Sequence, residues 1–169
     1  MANSVLLIGY GNPGRQDDGL GPALAEAVER LRIPDVTVEA DYQLTLEDAA
    51  AAAAHRYVVF ADASVGGREP FSFRALQPAE YTGFSTHSVE PEAVLSLARD
   101  LFQAGTTGYA LGIRGYRFGE FGETLSDKGR ENLAAALRFI VPLLKGCAFE
   151  TAVSADQGEE SSAHLRMYP

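Results

Sequence analysis

Cysteine, histidine, tryptophan and long apolar runs are scarce in this sequence. Its 169 residues include one cysteine, three histidines and no tryptophan. Because Cys147 stands alone, an internal disulfide and a cage of several thiolates around a metal are both excluded, and a reducing compartment fits. No stretch approaches the roughly 18 apolar residues of a membrane span, and the apolar start VLLI is too short for a signal peptide. We therefore expect a cytoplasmic protein without a membrane partner.

Basic residues are also few. The chain has 14 Lys and Arg against 23 Asp and Glu, which gives a formal net charge of -9. Proteins that bind nucleic acids neutralise phosphates with clustered Lys and Arg, and this sequence contains no basic run. The charge therefore predicts no nucleic-acid partner. With 46% hydrophobic residues, the length fits one globular domain with a sizeable core.

Strand and helix patterns alternate along the chain without an internal repeat. Strands are predicted over 4–10, 36–41, 57–63, 69–76 and 107–116, and helices over 18–33, 45–56, 91–105 and from a cap at Ser126 to Gly146. Such alternation favours a three-layer α/β/α sandwich around a mostly parallel sheet of about five strands, with 69–76 as a candidate antiparallel edge strand. We expect a single α/β domain over 1–146 and a poorly ordered acidic tail over 147–169.

The stretch GYGNPGRQDDGLGP joins the first strand to the first helix. Gly9 and Gly11 flank a predicted turn where bulky side chains would block the approach of another chain, and Asn12 suits local hydrogen bonding or left-handed geometry. The spacing includes the G-x-G-x-x-G of dinucleotide-binding loops. However, Pro13 removes a backbone donor, and the two aspartates that follow would repel a pyrophosphate.

Four polar residues are candidates for a site at the carboxyl edge of the sheet, where ligands of open α/β folds bind. Asp17 and Asp18 follow the first strand, Asp62 ends the third, and His87 lies in a loop. Each has a structural alternative: the first two as helix caps, Asp62 as a cap or turn anchor, and His87 as a surface residue. Two carboxylates and one imidazole also form a three-ligand set that suits a divalent transition metal with open positions.

The motifs GYGNPGRQDDGLGP, VVFADA and STHS, in this order, resemble those of the nickel-iron hydrogenase maturation endopeptidases over about residues 4–145. The first motif matches the family pattern G-x-G-N-x(4)-D-[DE]-G-x-G without a gap. The resemblance implies that Asp18, Asp62 and His87 are metal ligands and that Gly9, Gly11 and Asn12 form the loop at the substrate. Asp17, beside the first ligand, is a candidate helper that accepts a proton.

The resemblance also implies the reaction and the partner. Such enzymes remove a C-terminal extension from the hydrogenase large-subunit precursor after nickel has been inserted. Nickel in the substrate is then the recognition signal, and we expect no tightly bound metal in the protein itself. No serine or cysteine stands with a histidine in a nucleophilic arrangement, so covalent catalysis is not expected.

Two other functions fit parts of the sequence. A non-catalytic nickel-binding chaperone would use the same three side chains, although the scarcity of histidine argues against metal storage or delivery. The opening GYGNPG also resembles that of the peptidyl-tRNA hydrolases, an esterase family of related α/β architecture. The segment RQDDGLG replaces the histidine-containing segment of that family, and the net charge opposes a tRNA partner.

Overall fold

The computed structural model describes residues 4–79 and 89–153. Within these ranges a five-stranded sheet has the order β2-β1-β3-β5-β4. The strands are β1 (Val5–Tyr10), β2 (Val36–Asp41), β3 (Tyr57–Ser64), β4 (Phe71–Leu76) and β5 (Thr107–Arg114). The main helices are α1 (Leu20–Leu31), α2 (Asp48–Ala53), α3 (Pro91–Phe102) and α4 (Asp127–Gly146).

The sheet is parallel except at one edge. Strands β2, β1, β3 and β5 run in the same direction, and β4 pairs with β5 in the antiparallel sense. The central strands β1 and β3 begin with continuous buried apolar runs, as expected of parallel strands that are covered on both faces. The predicted sandwich and the antiparallel edge strand are both confirmed.

Helices cover the two faces of this sheet in pairs. Alternate side chains of β1 and β3 pack with α1 and α4 on one face and with α2 and α3 on the other. On the first face, Phe73 and Tyr109 stack with ring centroids 5.4 Å apart. Burying an aromatic or branched apolar side chain stabilises a fold by about 1.5–3 kcal/mol, so the two apolar layers hold the strand ends in fixed register.

Several element boundaries differ from the predicted ones. The predicted first helix over 18–33 is split, because a 3₁₀ turn at Gln16–Gly19 precedes α1. Helix α3 ends before the predicted stop at Gly105, because Gln103 adopts the left-handed conformation with a φ of 52°. Ser126 is the predicted cap of α4, and its side chain accepts the Gly129 N–H.

The chain beyond α4 begins as part of the core. Residues 149–153 form a further helical turn, in which Phe149 is fully buried and its ring lies 5.0 Å from that of Tyr109. Residues 154–169 of the predicted tail lie outside the described residues. None of the helices within 4–79 and 89–153 has the length and apolar character needed to span a membrane.

Candidate metal and active site

The loop after β1 is folded tightly against its own chain. Gly11 has a φ of +137°, and a Cβ there would lie 2.0 Å from the Asp18 carbonyl oxygen. A Cβ at Gly9 would lie 2.2 Å from the Gly21 carbonyl oxygen. The groups that fill this space are the backbone of the 3₁₀ turn and of α1, so both glycines are needed for packing within the chain, and the expected approach of another chain stays a prediction.

Asn12 and Asp18 hold each other across this loop. The Asn12 N–H donates to Asp18 Oδ2 at 2.9 Å, and Asn12 Oδ1 accepts the Gly14 N–H at 2.9 Å. The predicted local hydrogen bonding of Asn12 is confirmed. These bonds fix the Asp18 carboxylate on the 3₁₀ turn, and Asp18 stays partly exposed to solvent.

Asp62 lies at the same edge of the sheet because β1 and β3 are adjacent and parallel. Gly9 pairs with Ala61 in the register, so Tyr10, the last residue of β1, lies level with Asp62, and β3 continues to Ser64. The Asp62 carboxylate accepts the Ala63 N–H at 2.7 Å. It does not anchor the turn that follows, in which Ser64 Oγ accepts the Gly67 N–H at 2.8 Å. Asp62 is thus a half-buried carboxylate, and the residue that anchors the turn is Ser64.

Burial and the charges of neighbouring acids shift the pKa of Asp62. Burial raises the pKa of Asp62 to about 6, and the charges of Asp18 and Glu90 raise it too, against hydrogen bonds from the Ala63 N–H and the Tyr10 hydroxyl. Burial and the charge of Asp62 likewise raise the pKa of the Tyr10 hydroxyl. Several carboxylates therefore share one edge, and a cation there would relieve their repulsion.

His87 lies outside the described residues, so its position relative to Asp18 and Asp62 stays a prediction. In the ranges 4–79 and 89–153, no group of three His, Cys, Asp or Glu side chains is placed to hold a metal ion. His55 is committed elsewhere, since its ring nitrogens lie 2.8 Å from the Ala51 carbonyl oxygen and 3.0 Å from Thr37 Oγ1.

Asp17 faces a different set of partners from Asp18. Its fully buried carboxylate accepts the N–H groups of Tyr116 at 2.7 Å and Arg117 at 3.1 Å. It also accepts the Ser126 N–H at 2.8 Å and the Ser126 hydroxyl at 2.6 Å. Burial opposes ionisation, but these hydrogen bonds outweigh it and lower the pKa of Asp17. A carboxylate with four internal donors is poorly placed to accept a proton from water, so the contacts favour a structural role over the expected one as helper.

Two residues at this edge escape sequence reasoning. Tyr10 reads as the last apolar residue of a buried strand, yet its hydroxyl meets Asp62. Alternation places both side chains on one face, because Ile8 and Phe60, two residues earlier in paired strands, share that face. In the sequence, Glu90 is only the residue before a proline that starts a helix, but in the structure its charge raises the pKa of both Tyr10 and Asp62.

A shallow pocket adjoins the Asp18 loop on the side of β2. It has a volume of about 220 Å³. Its lining residues come from the glycine-rich loop, from the start of α1 and from the end of β2: Gly11, Pro13, Pro22, Ala40, Asp41 and Tyr42. Tyr42 is 69% exposed, and its ring adds apolar surface to this pocket beside the glycine-rich loop.

Solved structures with the same fold include hydrogenase maturation proteases. The NiFe hydrogenase maturation protease HycI from Thermococcus kodakarensis KOD1 is 27% identical with a TM-score of 0.67, over 85% of this chain and 93% of that chain. The hydrogenase maturating endopeptidase HybD from E. coli is 21% identical with a TM-score of 0.67, over 86% of this chain and 94% of that one, which shows a shared fold.

An uncharacterized protein from Wolinella succinogenes is 26% identical with a TM-score of 0.60, over 83% of this chain and 96% of that chain. No protein-family model and no curated protein matches the sequence. The glycine-rich motif, the shared fold and the identity to HycI agree with one another. The chain is therefore similar in motif and in fold to the nickel-iron hydrogenase maturation endopeptidases, which are peptide hydrolases.

Proposed function

We propose that this protein removes the C-terminal extension of a nickel-iron hydrogenase large-subunit precursor after nickel insertion. Asp18, Asp62 and His87 would bind nickel that the precursor carries, so that nickel is both the recognition signal and part of the substrate. Location in the cytoplasm, where such a precursor would be met, belongs to the same proposal.

The observation that supports this proposal is electrostatic: Asp18, on the 3₁₀ turn after β1, is near enough to Asp62 of β3 for its charge to raise the pKa of Asp62. Each carboxylate is held by a backbone N–H, from Asn12 and Ala63 respectively, and each retains acceptor positions. Oxygen and imidazole ligands suit a divalent transition metal. Two carboxylates and one histidine leave coordination positions open, as a metal presented by another protein requires.

Hydrolysis adds water across the scissile peptide bond and yields a carboxylate and an amine. Nickel in the precursor supplies a Lewis acid beside that bond. The contribution of this chain is to orient the nickel through fixed carboxylates. Asp17 is left out of proton transfer, because its acceptor positions are occupied by Tyr116, Arg117 and Ser126.

Cys147 has the wrong position and the wrong electrostatics for a nucleophile. It caps the end of α4 in the left-handed conformation with a φ of 52°. Burial raises the pKa of its thiol, and the nearby charges are those of Arg56, just before β3, and Asp35, just before β2. Asp62 lies at the opposite end of β3. An activated cysteine has a lowered pKa, so a covalent route through Cys147 is disfavoured.

The test compares nickel-loaded with nickel-free precursor by intact mass. We expect a shortened product from the nickel-loaded precursor alone. Asp62→Ala should give no product while its circular dichroism matches that of the native chain. Asp100→Ala, which removes an exposed carboxylate near the far end of α3, is the control and should cleave normally.

A precursor of unchanged length that binds the protein through its nickel would favour the chaperone function over the peptidase. Cleavage by refolded Asp62→Ala would overturn the role of Asp62 as a nickel ligand. Equal cleavage of both precursors would overturn recognition through nickel.

A further inference from the structure

The buried carboxylate of Asp17 joins three separate parts of the chain. It belongs to the 3₁₀ turn that carries Asp18, and its hydrogen-bond donors come from the loop after β5 and from the first residue before α4. We call the four hydrogen bonds that Tyr116, Arg117 and Ser126 donate to this carboxylate the Asp17 anchor. No solvent reaches Asp17, because the residue is 0% exposed.

Backbone hydrogen bonds extend the connection from Asp17 back to Gly14. The Asp17 N–H donates to the Arg117 carbonyl oxygen at 2.9 Å, and the Gln16 N–H donates to the Gly122 carbonyl oxygen at 2.7 Å. The Gly122 N–H in turn donates to the Gly14 carbonyl oxygen at 2.9 Å. The loop of residues 115–126 is therefore attached to the glycine-rich loop at Asp17 and at two residues before it.

Capping a helix does not require a buried charge, since a neutral serine already caps α4. Burying a carboxylate is unfavourable unless hydrogen bonds compensate, so removing those bonds destabilises the fold. A carboxylate accepts several hydrogen bonds at once, so four donors from two segments converge on one small group and fix its position. The next residue in the chain, Asp18, is thereby fixed as well.

We propose that Asp17 is a positioning residue for Asp18: the Asp17 anchor fixes the 3₁₀ turn against residues 115–126, so that the Asp18 carboxylate meets the metal together with Asp62. This inference rests on the proposed function, in which Asp18 binds substrate nickel. Asp17 itself touches neither nickel nor the scissile bond.

The Asp17 anchor can be disturbed by a substitution that neither replaces Asp17 nor changes any charge. A Cβ at Gly129 would lie 2.9 Å from Asp17 Oδ1 and 2.9 Å from Ser126 Oγ. Alanine is a better helix former than glycine, so Gly129→Ala in α4 should be neutral or stabilising by propensity alone. Gly146→Ala, in the same helix, meets no atom within 4 Å and is the matched control.

The experiment measures Zn²⁺ affinity of the full chain by titration, together with kcat and KM on nickel-loaded precursor. Gly129→Ala is expected to lower the Zn²⁺ affinity about tenfold and kcat at least tenfold, with KM changed less than about threefold, because contacts away from the metal set most of KM. Gly146→Ala should match the native chain in all three. Should Gly129→Ala fail to fold, Ser126→Ala takes its place: it removes the hydroxyl bond to Asp17 together with the cap that this hydroxyl provides to the Gly129 N–H.

A double-mutant cycle separates positioning from general structural damage. In an Asp18→Ala background, Gly129→Ala should no longer change the Zn²⁺ affinity, because the ligand that it displaces is gone. An equal loss of affinity in both backgrounds, or native affinity and kcat in Gly129→Ala, would overturn the proposal. Failure of the native chain to cleave nickel-loaded precursor would instead refute the proposed function, while the Zn²⁺ cycle still tests the anchor.

Discussion

Tyr10, the last residue of β1, lies beside Asp62 of the neighbouring parallel strand β3, and the Tyr10 hydroxyl is a hydrogen-bond partner of the Asp62 carboxylate. A donor to the ionised form favours ionisation. Tyr10→Phe should therefore raise the pKa of Asp62 above its value of about 6. Carbon-13 NMR of the Asp62 carboxyl group in metal-free protein measures the midpoint.

Tyr42→Phe is the control for this titration, because Tyr42 lies at the same edge of the sheet and is 69% exposed. Its loss should leave the Asp62 midpoint in place. An unchanged or lower midpoint in Tyr10→Phe would mean that the hydroxyl does not stabilise the carboxylate.

The Asp62 carboxylate is expected to cost stability at neutral pH. Its pKa rises from an ordinary 3.8 to about 6 in the folded chain, which corresponds to roughly 3 kcal/mol. Because the folded chain favours the protonated form of Asp62, protonation stabilises the fold by this amount below about pH 4, and the stabilisation is lost as the pH rises through about 6. Asp62→Asn carries no such charge, so its Tm should exceed that of the native chain at pH 7.5 and converge with it at pH 4.

Scanning calorimetry at the two pH values measures this difference, and a processing assay on the same samples should show no product from Asp62→Asn. Such a pairing of higher stability with lost activity is expected of a residue kept for function. A Tm difference that is the same at both pH values would contradict the electrostatic account.

Gly11→Ala should destabilise the fold rather than merely slow the chemistry. Its positive φ of +137° and the 2.0 Å approach of the Asp18 carbonyl oxygen leave no room for a Cβ. Strain and steric clash of this kind cost about 3 kcal/mol or more, which lowers the Tm by roughly 6–12 °C in a domain of this size. Gly66→Ala, with open space around it, should shift the Tm by at most a few degrees.

A Tm for Gly11→Ala within a few degrees of the Gly66→Ala value would show that the loop relaxes around a side chain. In that case the glycine would not be required by the turn.

Sequence patterns predicted the sandwich and the sheet edge at which Asp18 and Asp62 lie, because buried strands and amphipathic helices depend on local periodicity. They also predicted the need for glycine at positions 9 and 11. They did not separate Asp17 from Asp18. The difference between these adjacent residues arises from Tyr116 and Ser126, 99 and 109 residues from Asp17, and no local pattern encodes contacts so distant.

Tyr10 and Glu90 were missed for a related reason. Each has an ordinary local role, as the end of an apolar strand and as the residue before a helix. Their relation to Asp62 follows only from the register of β1 against β3 and from the start of α3 at the same edge.

The central claim is that the metal belongs to the substrate, and cleavage after chelator treatment tests it most directly. The enzyme is incubated with chelator, the chelator is removed, and nickel-loaded precursor is added while intact mass is followed. Because the proposed ligands are two carboxylates and one histidine without a thiolate, the purified protein should hold little metal, and treated and untreated enzyme should cleave at the same rate. Loss of cleavage after the treatment, restored by adding Zn²⁺, would show a tightly held catalytic metal and contradict the account.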